Sequence, residues 1–183
     1  MKTVYVFLAE GFEEIEAITI IDVVRRAGIA VTTISISSDK QVTGAHGIPL
    51  LADALFTESD FNNSEMLVLP GGMPGAENLQ NFKPLTDLLR EKNAANEKIG
   101  AICAAPKVLG VNGLLNGKEA VCFPGFEEQL IGAEILEQPF VTSHNITTSR
   151  GPATAMKFAL EIVTRIAGVE KANTLAKGML VNS

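Results

Sequence analysis

Apolar runs of strand length alternate with longer amphipathic stretches along this chain, and that alternation constrains the fold more than any other feature. Thr3 to Leu8 reads as a buried strand, Glu13 to Ala27 as a helix stopped by Gly28, and Ala30 to Ile36 as a second strand rich in Val, Ile and Thr. Together they make a βαβ unit. Met66 to Leu69, broken by Pro70-Gly71-Gly72, continues the series, followed by a helix over Pro84 to Ala95 and a strand over Ile99 to Ile102. Glu119 to Cys122 is a further strand candidate. Phe140 to Ser143 and Ile146 to Ser149 flank His144-Asn145 as a hairpin, and Gly151-Pro152 starts a long helix to Ala167. Parallel neighbours need crossover connections, so the pattern predicts an α/β fold: a doubly wound, mostly parallel sheet with helices on both faces. Val42 to Leu51 carries the Gly and Pro punctuation of an edge hairpin and is expected to leave the sheet.

Size and charge narrow the class. At 183 residues, 46% of them hydrophobic, residues 1–183 fit one domain with a substantial core. A net charge of -6 without a basic stripe argues against nucleic acid and against an anionic membrane surface as partners. No apolar stretch is long enough to span a bilayer and no small-residue cleavage site follows Met1, so a cytoplasmic protein is expected. Cys103 and Cys122 are expected to remain thiols there. His46 and His144 are isolated in the sequence and no Cys-His spacing suggests a metal; no metal and no organic cofactor is expected.

In such folds ligands gather at the carboxyl ends of the strands. Three segments end there: Glu10-Gly11-Phe12, Pro70-Gly71-Gly72 and Cys103. Cys103 follows a β-rich run and precedes Ala104-Ala105-Pro106, with Pro106 in a first helical turn where a missing N–H costs nothing. This describes a nucleophile elbow, a sharp strand-to-helix turn that holds its side chain outward. Amides at a helix start favour a thiolate, so the Cys103 pKa is expected below its reference of about 8.5. A buried, inert cysteine is the competing reading.

One carboxylate sits on the wrong helical face. At about 100° per residue, Glu16 lies opposite Arg25 and shares its stripe with Ile20, Val23 and Ala27. It therefore faces the core. An ionised carboxylate is costly there, so a partner or a raised pKa is expected, and a protonated Glu16 can donate a hydrogen bond to a thiolate. Glu13 and Glu14 read as an ordinary solvated pair favoured by the helix dipole.

The combination of Ala9-Glu10-Gly11-Phe12-Glu13-Glu14-Ile15-Glu16, Leu69-Pro70-Gly71-Gly72, Ala101-Ile102-Cys103-Ala104-Ala105-Pro106 and Thr148-Ser149-Arg150-Gly151-Pro152 resembles the ThiJ/PfpI superfamily. Within it the chain looks most like the branch of the Parkinsonism-associated protein deglycase (DJ-one) and its bacterial homologues. The resemblance implies a flavodoxin-like, class I glutamine amidotransferase-like architecture and a homodimer, with the first helix and the Val42 to Leu51 hairpin as candidate contacts. It also implies Cys103 as nucleophile, Glu16 as its partner, and the amides of Gly72 and Ala104 as an oxyanion site, with Gly71 beside them. The flexibility of Gly72 is expected to serve close approach to a reacting atom. His46 and Arg150 are accessory candidates: His46 as a replacement base across a dimer interface, though more simply a turn or interface residue, and Arg150 as an anion binder, though more simply an ion-pair or dimer-contact residue.

Two positions depart from the resemblance. Many relatives carry a histidine immediately after the cysteine or before a proline at the end of the following strand; here those positions are Ala104 and Phe123. Without that base a cysteine peptidase loses its proton shuttle. The resemblance implies cysteine-dependent handling of α-oxoaldehydes such as methylglyoxal, or of glycated protein, slow for want of the histidine. A non-catalytic redox sensor or chaperone that forms a Cys103 sulfinate is the alternative, with Cys122 as a conceivable resolving thiol.

Overall fold

The computed structural model describes residues 2–181. In chain order the first elements are β1 (Thr3–Leu8), α1 (Glu14–Arg26), β2 (Val31–Ser35), β3 (Gln41–Thr43), β4 (Pro49–Leu51), β5 (Ala54–Leu55) and β6 (Ser64–Leu69). Next come α2 (Gly75–Asn81), α3 (Lys83–Ala94), β7 (Lys98–Ile102) and α4 (Pro106–Val111). The chain closes with β8 (Glu119–Ala120), β9 (Glu134–Ile135), β10 (Phe140–Ser143), β11 (Ile146–Ser149), α5 (Ala155–Ala167) and α6 (Val169–Gly178). A seven-stranded sheet runs β10-β11-β7-β6-β1-β2-β5, parallel throughout except for β10 against β11.

The pleat of β1 explains why helices cover both faces. Val4, Val6 and Leu8 pack with α1 and α5, while Tyr5 and Phe7 point the other way to meet Leu79, Leu85 and Leu89 from α2 and α3. Both faces are dry, so the strand reads as a continuous apolar run instead of an alternating one. Gly100 in the middle of β7 makes room for α5: a Cβ there would stand 3.0 Å from Cζ of the fully buried Phe158 and 2.9 Å from Cε of Met66.

Chain order reverses at β1, which has β2 on one side and β6 on the other, and crevices of this kind at strand carboxyl ends are where such sheets bind ligands. The ends of β1, β6 and β7 therefore share one rim. As expected, the β3–β4 hairpin leaves the main sheet and forms its own antiparallel pair, Val42 opposite Leu50. The predicted strand over Glu119 to Cys122 is cut to Glu119–Ala120, which pairs with β9; Val121 instead donates to Thr148 Oγ1 at 2.9 Å. The long last helix starts later than predicted, because Pro152–Thr154 forms a 3-10 turn closed by the Gly151 amide on Thr154 Oγ1. No helix among the described residues is long and apolar enough to cross a membrane.

Candidate active site

Cys103 adopts φ 64°, a left-handed conformation that a non-glycine residue holds only at a cost of about 1–3 kcal/mol. Two neighbours pin it. Its amide donates to the Ser149 carbonyl at 2.9 Å from the end of β11, and its own carbonyl accepts the Phe123 amide at 2.8 Å. The Ala105 amide closes the turn on Ile102 at 3.0 Å before Pro106 opens α4. The sulfur is thus presented at the rim, although Cys103 as a whole is only 8% exposed.

Glu16 reaches this point from α1 and is fully buried. Its Oε2 accepts the Gly71 amide at 2.7 Å, while Oε1 has no formed hydrogen bond among the described residues. The Cys103 thiol lies beside the carboxyl, close enough for each group to shift the other's pKa. Gly71 separates them. A Cβ at that position would meet Cys103 Cβ at 2.6 Å and Glu16 Oε2 at 2.8 Å, so the glycine demanded by the pair is Gly71. Gly72, φ 88°, is required for another reason than the one expected: its missing Cβ would strike the Glu13 nitrogen at 2.4 Å and the Gly11 oxygen at 2.6 Å, so it admits the α1 approach loop.

Desolvation dominates the titration of both groups. Burial raises the Glu16 carboxyl to about 7, opposed by the Gly71 amide, so at neutral pH neutral and ionised forms coexist instead of the neutral form alone. Burial also pushes the Cys103 thiol up to about 12, and the negative charge of Glu16 adds to the push. The expectation of a depressed thiol pKa is therefore overturned. Amides of Gly72 and Ala104 do act on the sulfur in the lowering direction, but burial outweighs them. Helix-start amides are legible in sequence, whereas the dry floor under the elbow comes from distant strands.

A Cys on a left-handed elbow, a buried Glu from the first helix and two amides turned on one sulfur make a specific set. The sequence profile of the DJ-1/PfpI family matches residues 2–165. The chain belongs to this family. "Protein DJ-1 homolog B" of Arabidopsis thaliana is 38% identical over 175 residues, 95% of this chain; the chain spans only 40% of that relative's length. "Glutathione-independent glyoxalase DJR-1.2" of Caenorhabditis elegans is 34% identical over 170 residues, covering 92% of this chain and 90% of the relative. Among solved structures, "Toxoplasma gondii DJ-1, oxidized" superimposes with a TM-score of 0.95 at 36% identity over the full length of both chains. A DJ-1 fold thus holds these residues.

The remaining candidates of this DJ-1/PfpI member fall in different places. His46 is not isolated: its amide donates to Glu14 Oε1 at 2.7 Å and its Nδ1 lies 2.9 Å from Glu14 Oε2, with Glu13 Oε2 at 3.7 Å. Glu14 raises the imidazole pKa chiefly through that hydrogen bond. Glu13 and Glu14 are accordingly buried fasteners of the hairpin instead of a solvated pair. With His46 they are the one group of three such side chains, among the described residues, whose donor atoms lie within 4.8 Å of one another. His144 sits on the β10–β11 turn, at the amino end of the sheet, away from the elbow. Arg150 makes no ion pair among the described residues and, with Phe123, lines a shallow pocket of about 250 Å³. Cys122 is a buried free thiol raised to about 11, mainly by burial.

Sequence reasoning missed Lys107. Only 3% of its side chain is exposed, one turn beyond the elbow, where it pairs with Glu77 of α2 and lies 5.7 Å from the centroid of Phe126. It ties the helix after Cys103 to the helix after Gly72. The larger cleft, about 470 Å³, lies at the opposite end of the sheet among Lys2, Glu65, Glu97 and Lys98. Lys2 and Lys98 both pair with Glu65 there, and the cleft is remote from Cys103.

Proposed function

We propose that this chain converts α-oxoaldehydes to 2-hydroxy acids through Cys103. The observation that carries the reading is one sulfur placed against a buried carboxyl of pKa about 7 and within reach of the Gly72 and Ala104 amides. The ionised fraction of Glu16 takes the thiol proton as sulfur adds to the aldehyde carbon. The carbonyl electron pair moves to oxygen, where the two amides hold it and Glu16 then returns the proton. Glu16 next removes the proton on the same carbon and returns it to the adjacent ketone carbon, while the hydroxyl proton passes to the ketone oxygen, giving a thioester and a new alcohol. Water releases the 2-hydroxy acid and restores the thiol. One carbon is oxidised as its neighbour is reduced, so no external oxidant, metal or cofactor enters.

The relative named as a glutathione-independent glyoxalase supports this reading. Phe123 leaves no imidazole on the sulfur within the chain, and general acid–base assistance is worth about 10²–10⁴-fold, so turnover is slow. Lactate formed from methylglyoxal by wild type and by Cys103→Ala tests the assignment; equal or absent activity in both rejects it. Glycated protein is a further substrate on the same chemistry.

A second reading is favoured by the same Phe123 and by a relative whose structure is described as oxidised. In it, Cys103 forms a sulfinate held by neutral Glu16 and reports oxidative stress, with or without a chaperone role. Mass spectrometry of Cys103 after peroxide treatment, compared with Glu16→Leu, measures it. For either reading we take the chain to be a cytoplasmic homodimer: both cysteines are free thiols, and Ile15, Ile18, Ile48 and Leu51 leave apolar side chains exposed on α1 and the hairpin.

A further inference from the structure

One wall of the shallow pocket described above is hydrogen-bonded to the Cys103 backbone, and the other begins at the residue after a second backbone partner of Cys103. Phe123 donates its amide to the Cys103 carbonyl, and Ser149, which precedes Arg150-Gly151-Pro152, accepts the Cys103 amide. The pocket therefore adjoins the elbow through the backbone: Phe123 bonds Cys103 directly, and Arg150 follows the residue that accepts the Cys103 amide. Its lining is apolar: the Phe123 ring packs against Gly151, where a Cβ would stand 3.1 Å from Cδ2, and Pro124, Pro152 and Ala153 complete the wall. The Thr154 hydroxyl is committed to Gly151 and Ser149. Phe123 is 43% exposed, a large aromatic left uncovered where a site needs an apolar surface. The volume of about 250 Å³ exceeds the roughly 150 Å³ cavity known to admit benzene. Arg150, unpaired among the described residues, sets a cation on the rim that complements the carboxylate of a 2-hydroxy acid product.

We propose that this pocket receives the substituent of the α-oxoaldehyde, so that the chain prefers aryl substrates such as phenylglyoxal over methylglyoxal. The inference rests on the reaction assigned under the proposed function and adds the identity of the group attached to it. A methyl group leaves most of the pocket wet; a phenyl ring displaces that water and stacks on Phe123.

Two measurements separate the pocket from the reaction. The first is kcat/KM for phenylglyoxal and methylglyoxal, read as mandelate and lactate, in wild type and Phe123→Ser. The aryl-to-methyl ratio is expected to exceed one in wild type and to fall about tenfold or more in the variant. The second is alkylation of Cys103 by phenacyl bromide and by bromoacetone, in which the sulfur–carbon bond forms as bromide leaves and the thiol proton passes to solvent. Rates are corrected for Cys103→Ala and divided by those of a small free thiol. Loss of the aryl preference in Phe123→Ser, with Phe123→Leu keeping part of it, supports the pocket even if neither aldehyde is turned over, an outcome that refutes the reaction alone. An alkylation ratio unchanged by Phe123→Ser overturns the pocket.

Discussion

Replacing Glu16 with Gln isolates the energetic cost of keeping a carboxyl under the elbow. The group moves from 4.5, its ordinary value, to about 7 in the folded chain. At about 1.4 kcal/mol per pKa unit, the whole difference is about 3 kcal/mol. Below pH 4.5 the carboxyl is protonated in both folded and unfolded states and the penalty is absent. Above 7 it is ionised in both, and the folded state bears the full desolvation; stability is lost as pH rises between those limits. From pH 5 to pH 8 the loss is about 2–3 kcal/mol. Gln cannot ionise, and its carbonyl still accepts the Gly71 amide. Glu14 and His46, whose pKa values are also displaced, are common to both proteins and cancel in the comparison. Urea unfolding of both at pH 5, 6, 7 and 8 should show the variant gaining about 2–3 kcal/mol on wild type across that range. Two parallel curves would refute the assignment of Glu16 as a desolvated acid.

Gly71→Ala should cost about 1–3 kcal/mol in unfolding free energy and slow Cys103 alkylation, because its Cβ wedges between the sulfur-bearing residue and Glu16. Gly72→Ala should be worse, since backbone atoms block it and its φ is left-handed. Phe158→Ala empties the space under Gly100 and should lower stability by about 3–5 kcal/mol, read by denaturant melts. Lys107→Met removes a buried cation and leaves the half-exposed Glu77 to water, whereas Glu77→Ala strands the cation; the second should be more destabilising by at least about 1 kcal/mol. The His46 imidazole should titrate above 6.5 by NMR and return toward that value in Glu14→Gln.

The strands that form the middle of the sheet were legible because burial on both faces makes them continuous apolar runs, and Thr3–Leu8 falls where the pattern puts it; the polar Ile146–Ser149 was legible instead from the turn at His144-Asn145. Turn chemistry exposed the elbow, since a β-run meeting Ala104-Ala105-Pro106 leaves little other choice. Periodicity alone marked Glu16 as inward. What stayed hidden depends on long-range contacts. Gly75–Asn81 is too short and polar for a helical period to emerge, and Val169–Gly178 presents only Ala172 as a buried residue. The fastening of His46 by Glu14 joins residues 32 apart, and Lys107 looks like any surface lysine until Glu77 arrives from another helix. Thiol acidity failed for a related reason: local amides are written in the chain, while dielectric surroundings are assembled by the whole fold.

The posture of the sulfur is inherited from the registration of β11. Ser149 lies opposite Ile102 in the parallel ladder and reaches one step further to grip the Cys103 amide. Sliding that strand by a single residue would turn every side chain on it over and withdraw the grip. An insertion in the distant His144-Asn145 bend would therefore misplace the Cys103 sulfur without touching any residue beside it, so the posture of that atom belongs to the weave of the sheet.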